Sequence, residues 1–196
     1  MKSRTDAMTK TSTPVAACEE AIKQRVLALL EAIPDPEIPV VSIRELGILR
    51  DVVVHGARIE VLITPTYSGC PALTMLEDDI LAALRAAGFS DVAVNTVLAP
   101  AWSSDWITAE AREKLRAYGI APPGPTAAGE AGRQGVRLHF SKPSKPRPGS
   151  TAGAGPACPR CGSRNTELLS AFGSTSCKAL HRCIDCREPF DYFKPY

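Results

Sequence analysis

No stretch of this 196-residue chain holds the roughly 18 consecutive apolar residues that a membrane-spanning helix needs. Its first residues, MKSRTDAMTKTSTPVAAC, lack the apolar core of a secretory signal. A cytoplasmic protein is therefore the expectation, and there cysteines stay reduced and bind metal more often than they pair. Histidine is scarce, with His55, His139 and His181 falling in a turn, a linker and a cysteine-rich segment. None stands on a helix as a base, which weakens a Cys/His nucleophile reading. The net charge is only +2, too small to argue for nucleic acid. It is unevenly spread: −4 over residues 1–121, +4 over 122–157 and +2 over 158–196.

What is present is an ordinary apolar fraction of 44%, enough for a real core. Residues 1–14 are polar and read as a disordered terminus. From Val15 to Ile33 apolar residues recur at helical spacing, with Thr13 as a cap and Pro14 in the first turn. Pro34, Pro36 and Pro39 stop it, and VSIRELGIL then reads as a turn with Gly47 as a helix C-cap. LRDVVVHG and ARIEVLIT read as strands joined by a tight hairpin at His55-Gly56. An amphipathic helix over Pro71–Ala87, a strand DVAVNTVL and a helix over Thr108–Tyr118 complete an α-β-β-α-β-α order. The strand–helix–strand step implies a parallel pair, so the expected fold is α/β (α+β): a small mixed three-stranded sheet with helices on one face.

Residues 15–121 form that domain. Residues 122–157, rich in Pro, Gly, Ser and basic side chains, read as a flexible linker in which GVRLHF is the one strand-like patch. Residues 158–196 form a second unit too short to hold itself without a staple. That staple is legible. Cys158 and Cys161 in CPRC, and Cys183 and Cys186 in CIDC, are separated by 21 residues, and two CxxC turns supply a tetrahedral set of thiolates for structural zinc. The segment between them can form a zinc-ribbon hairpin, with EPFDYFK as a closing strand. An iron–sulfur cluster takes the same four thiolates. Cys177 is an alternative ligand, although a buried or free thiol near the ribbon is the favoured reading. His181 reads as a surface residue. A ribbon is also a nucleic-acid or protein docking module, but aromatics in FDYF are thin support for the former.

Cys70, in TPTYSGCPAL, sits apart. It is expected at the N-cap of the Pro71 helix, where unpaired N–H groups and the helix dipole favour thiolate. Such a thiolate can bind iron, act as a nucleophile or serve redox chemistry; a buried cysteine in a strand-to-helix turn is the plain alternative. Asp35 and Glu37 flank Pro36 in a rigid loop and are expected to point outward, either to hold a metal or to order a turn.

DPEIPVVSIRELGIL followed by TPTYSGCPA resembles the MIP18 (DUF59) family of iron–sulfur assembly proteins. LAPAWSSDWITAEAREKLRAYGIAPP and the whole cysteine-rich segment resemble, more narrowly, the D-subunit branch of the phenylacetyl-CoA epoxidase system. Glu45 departs from the aspartate of many MIP18 relatives, and the 122–157 linker is longer than usual. The resemblance implies a non-catalytic accessory or maturation role in aerobic phenylacetate breakdown, beside a di-iron oxygenase and a reductase with flavin and a [2Fe–2S] centre. It makes Cys70 the iron or cluster ligand, with Asp35, Glu37, Thr64 and Thr66 shaping its surroundings. Because one cysteine cannot fill a cluster's coordination, it also implies a homodimer or a ligand from a client subunit. The competing readings are a purely structural subunit of the same complex and a zinc-ribbon nucleic-acid binder.

Overall fold

The computed structural model describes residues 14–67, 69–124 and 155–196. The N-terminal segment, the Thr13 cap, GVRLHF and most of the linker lie outside the described residues. Helix α1 (Pro14–Leu30) ends three residues sooner than periodicity predicts. The residue before a proline avoids helical geometry, so Ile33 leaves the helix and instead exchanges main-chain hydrogen bonds with Leu30 and Ile43. Through Ile38, Val41, Ile43 and Leu46, all essentially fully buried, the proline loop becomes part of the core.

Strands β1 (Leu49–His55) and β2 (Arg58–Ile63) form the expected hairpin, with His55 opposite Arg58 and Gly56 at φ +62° in the two-residue turn. Ile59, Val61 and Ile63 alternate onto one buried face. Helix α2 (Ala72–Ala86) places Leu76, Ile80 and Leu84 against that core, and β3 (Asp91–Thr96) returns parallel to β2. The sheet order is β1-β2-β3, the mixed three-stranded arrangement expected from sequence. Helix α3 (Ala109–Tyr118) starts at Thr108, whose hydroxyl accepts from Ala111 N at 3.1 Å, and stops at Gly119 with φ +96°.

Gly47 closes the expected turn, its N–H donating to Arg44 O at 2.9 Å. Its φ is +71°, and a Cβ there would lie 2.6 Å from Trp106 Cβ, so both conformation and space demand glycine. Ser42 and Glu45 brace this turn reciprocally. Glu45 Oε2 accepts from Ser42 N at 2.8 Å, and Ser42 Oγ accepts from Glu45 N at 3.2 Å.

The ribbon is a second sheet, ordered β4-β7-β6-β5. It contains β5 (Thr166–Ser170), β6 (Lys178–Cys183) and β7 (Pro189–Phe193), antiparallel in sequence, and β4 (Ile120–Ala121) lies parallel to β7. The strand following α3 is thus stitched into the ribbon. Phe193 and Cys177, both ribbon residues, are buried within the core cluster of the first sheet. Trp102 covers the junction: its Nε1 donates to Leu46 O at 3.0 Å and its ring meets Phe193 at 5.8 Å and Tyr196 at 6.2 Å. Ser104 N donates to Tyr196 O at 3.1 Å alongside. Burying a side chain as large as Phe193 contributes about 1.5–3 kcal/mol, so ribbon and domain stabilise one another. No helix among the described residues is long and apolar enough to cross a membrane.

Candidate functional site

Two cysteine sites emerge. In the ribbon, the Sγ atoms of Cys158, Cys161, Cys183 and Cys186 all lie within 4.8 Å of one another. Cys158 to Cys186 spans 3.7 Å and Cys161 to Cys183 spans 3.5 Å. Thiolates about 2.3 Å from a tetrahedral ion stand about 3.8 Å apart, so this quartet fits zinc. Each pair sits on a tight turn. Gly162 N donates to Cys158 O at 2.9 Å, and Cys183 N donates to Glu188 O at 2.9 Å. Asp185 ties the turns together by accepting from Asn165 Nδ2 at 2.7 Å and from the Ser163 hydroxyl. The N–H of Cys186 foremost draws the Cys183 thiol down to about 7. The Ser163 N–H favours the Cys161 thiolate, yet hydrogen bonding to Cys183 pushes that thiol up to about 12. The quartet therefore holds some protons that a metal would displace.

Cys177 does not join this quartet. His181 is corrected from surface to interior: it is buried, with its ring against Phe190 at 5.8 Å and Tyr192 at 5.4 Å. As an aromatic surrogate it packs the ribbon core, and burial holds its pKa below the usual value.

The second site surrounds Cys70. This residue is half-buried on the turn between β2 and α2 and lines a small cavity with Asp35, Glu37, Thr66, Cys177 and Phe193. Thr64, fully buried, anchors the turn through Thr64 N to Ile48 O at 2.9 Å. The helix begins one residue later than expected: Pro71 is its cap, so Cys70 lies just outside. The electrostatic expectation is also corrected. Burial foremost, then Glu37 and Asp35, hold the Cys70 thiol above its ordinary range, although the Ala72 N–H and the Tyr67 hydroxyl favour thiolate. Two carboxylates and partial burial outweigh one helix end. A cation in the cavity would reverse that balance.

Asp35 does not point outward. Its Oδ1 accepts from Glu37 N at 2.9 Å and Ile38 N at 2.8 Å, ordering the loop. Burial raises its pKa, and those N–H groups and Lys178 oppose the rise. Glu37 is the carboxylate that faces the cavity. The Cys177 thiol points toward Glu37 Oε2 at 3.9 Å and contacts Thr175 Oγ1 at 3.0 Å. Tyr67 stands beside Cys70, and burial foremost, then Cys70, push its hydroxyl up to about 12. Sequence reasoning missed Tyr67, Trp102 and the placement of Cys177, because each acts across the junction. A wider open groove of about 490 Å³ beside Glu45 and Lys114 holds neither cysteine nor histidine.

Comparison with known proteins agrees with this division. Residues 23–96 match the family described as iron–sulfur cluster assembly protein, and residues 142–194 match the PaaD zinc beta ribbon domain. The chain is 48% identical to the Escherichia coli K12 protein named as the D-subunit of a "Putative 1,2-phenylacetyl-CoA epoxidase", over 86% of this chain and 90% of that one. It is 31% identical to the "Fe-S protein maturation auxiliary factor YitW" of Bacillus subtilis, over 50% of this chain and 96% of that one. A crystal structure of a DUF59 domain of unknown function from Bacillus anthracis covers 51% of this chain and 96% of its own, at 30% identity and a TM-score of 0.48. The chain belongs to the D-subunit family of phenylacetyl-CoA epoxidases, a MIP18 (DUF59) iron–sulfur assembly domain followed by a zinc ribbon.

Proposed function

We propose that this chain is a non-catalytic accessory factor of a 1,2-phenylacetyl-CoA epoxidase system, receiving iron or an iron–sulfur cluster at Cys70 and passing it to, or restoring it in, the oxygenase–reductase subunits. Iron is cargo in this reading, and zinc held by Cys158, Cys161, Cys183 and Cys186 is structural. The domains, residues 15–121 and 158–196 joined by the 122–157 linker, divide the work: the first handles iron and the second fixes its surroundings. One observation carries the reading. Cys70 is a half-buried thiol at the mouth of a cavity that also presents the Glu37 carboxylate, a donor pair suited to ferrous iron. The names of the Escherichia coli and Bacillus subtilis relatives support the pathway and the maturation role respectively.

The test is to purify the protein without oxygen, reconstitute it with ferrous iron and sulfide, and count zinc, iron and sulfide per chain. About one zinc and a labile iron species are expected, with iron lost and zinc kept in Cys70→Ala. If iron never binds, the carrier reading fails.

A structural-subunit reading is favoured by one different feature: Phe172, Leu168 and Leu169 stand exposed on the ribbon, apolar surface of a kind that partners cover. That reading expects stoichiometric co-purification with the epoxidase and full activity in Cys70→Ala.

A further inference from the structure

Cys177 is a thiol that the ribbon's metal quartet leaves unused. It is 3% exposed, and it is buried in the core of the other domain rather than in its own. There it lines the same cavity as Cys70 and Glu37. Its sulfur lies 3.9 Å from Glu37 Oε2. A sulfur at about 2.3 Å and an oxygen at about 2.1 Å from one tetrahedral ion stand about 3.6 Å apart, so this pair is already spaced as ligands of a shared ion. Thr175 Oγ1, 3.0 Å from the sulfur, orients the thiol.

We infer that Cys70, Cys177 and Glu37 form a site for a single thiophilic divalent ion at the junction of the two domains, the ribbon supplying one of the two thiolates. The inference rests on the reading that Cys70 handles iron, and it names ligands that the chain itself contributes.

Size decides between ion and cluster. The cavity holds about 20 Å³ of free volume, and one water-sized sphere takes roughly 10–15 Å³. An ion fits; a four-thiolate cluster does not. Charge points the same way. Two carboxylates and two thiols converge, and Lys178, the cation acting on Asp35 and Glu37, also reaches Asp191 at 3.6 Å. Asp35 is committed to two main-chain N–H groups, which leaves Glu37 as the carboxylate ligand.

Among the described residues the ribbon quartet is the set whose donor atoms all lie within 4.8 Å. Cys177 and Glu37 are already closer than that, and Cys70, which lines the same cavity, completes the site by moving toward them. The Cys70 side chain is partly exposed and lies on the turn between β2 and α2, outside both elements. Binding releases one proton from each thiol to solvent and changes no oxidation state.

Cobalt(II) reports thiolate ligation through sulfur-to-metal charge-transfer absorption. Zinc-replete full-length protein, titrated with cobalt(II) without oxygen, should bind one cobalt per chain with its zinc retained. Cys177→Ser should cut the charge-transfer intensity per bound cobalt about twofold, as one of two thiolates is lost, and Cys70→Ser should do the same. Glu37→Gln should keep the intensity and weaken affinity about tenfold or more. Zinc content of one per chain in each variant shows that the ribbon remains folded. Undiminished intensity in Cys177→Ser, with loss in Cys70→Ser, overturns this inference and leaves the Cys70 reading standing. Undiminished intensity in Cys70→Ser overturns both, and no cobalt bound by the unaltered protein overturns this inference alone.

Discussion

Phe193, in the last strand of the ribbon, meets Trp102 of the first domain with ring centroids 5.8 Å apart and planes inclined by 42°. The contact makes the cysteine quartet's ribbon and the first domain parts of one packed unit. Phe193 is fully buried and Trp102 nearly so, and β4 extends the ribbon sheet from the end of α3.

Removing zinc should therefore be felt beyond the ribbon. Small zinc modules lose their fold without metal, and here that loss uncovers Trp102. In a Trp106→Phe background, a chelator strong enough to strip the zinc should shift Trp102 emission to the red. Cys183→Ser should give the shifted spectrum without chelator. An unchanged spectrum would mean that the two sheets are independent.

Gly47 faces two demands, and they can be separated. Gly47→Ala meets both a left-handed backbone and a 2.6 Å approach to Trp106 Cβ. Gly56→Ala meets only the backbone cost, since nothing lies within 4 Å of its Cβ. We expect roughly 1–2 kcal/mol for Gly56→Ala and about 1–3 kcal/mol more for Gly47→Ala, measured by urea unfolding. Equal losses would show that the Trp106 contact yields without cost.

Glu45 braces its own turn and ties it to α3 at two points. It accepts from Ser42 N, forms an ion pair with Lys114 at 2.6 Å, and its carbonyl accepts from Thr108 N at 3.0 Å. Burial acts to raise its pKa, but the Lys114 and Ser42 hydrogen bonds prevail and lower it. A carboxylate whose folded pKa is depressed contributes stability above its unfolded pKa, here 4.5, and loses it as pH falls through the folded value. Glu45→Gln should cost roughly 0.5–1 kcal/mol at pH 7. The gap from the unaltered protein should narrow as pH falls below 4.5 and close once it has passed the lower, folded value. A gap that persists there would assign the loss to packing.

Much of this was legible in the sequence, and the reasons differ by element. The hairpin at Gly56, the parallel return through α2 and the Thr108 and Gly119 ends of α3 follow from local patterns that dominate where they occur. The clustering of Cys158, Cys161, Cys183 and Cys186 follows from their spacing. The Ser42–Glu45 brace carries the S-x-x-E signature of a reciprocal cap in SIRE, and that signal was present though it lies on a turn. Cys177 had no such signal. Nothing in its spacing from Cys183 says that it faces Glu37, because that neighbour is set by how two sheets pack. His181 went inside for a related reason: on β6 its register places it against Phe190 and Tyr192. The thiolate expectation at Cys70 failed because a helix end is visible in sequence, whereas Glu37 and burial are visible only in space.

That failure has a measurable consequence. With burial, Glu37 and Asp35 holding the Cys70 thiol above its ordinary range, alkylation of Cys70 in zinc-replete, iron-free protein should be slower near pH 7 than that of a free peptide thiol. Glu37→Gln should speed it, and reactivity should climb as pH rises beyond 9. Fast alkylation at neutral pH, unaffected by Glu37→Gln, would restore the helix end as the dominant influence.

In the proposed function iron is held through the sulfur of Cys70. Iron K-edge X-ray absorption on anaerobically loaded, zinc-replete protein addresses it directly, since the edge sees iron and not the ribbon zinc. The spectrum should show a sulfur shell at about 2.3 Å that loses amplitude in Cys70→Ser while the zinc content stays at one per chain. An iron spectrum with oxygen and nitrogen neighbours alone, or a sulfur shell untouched by Cys70→Ser, would contradict it.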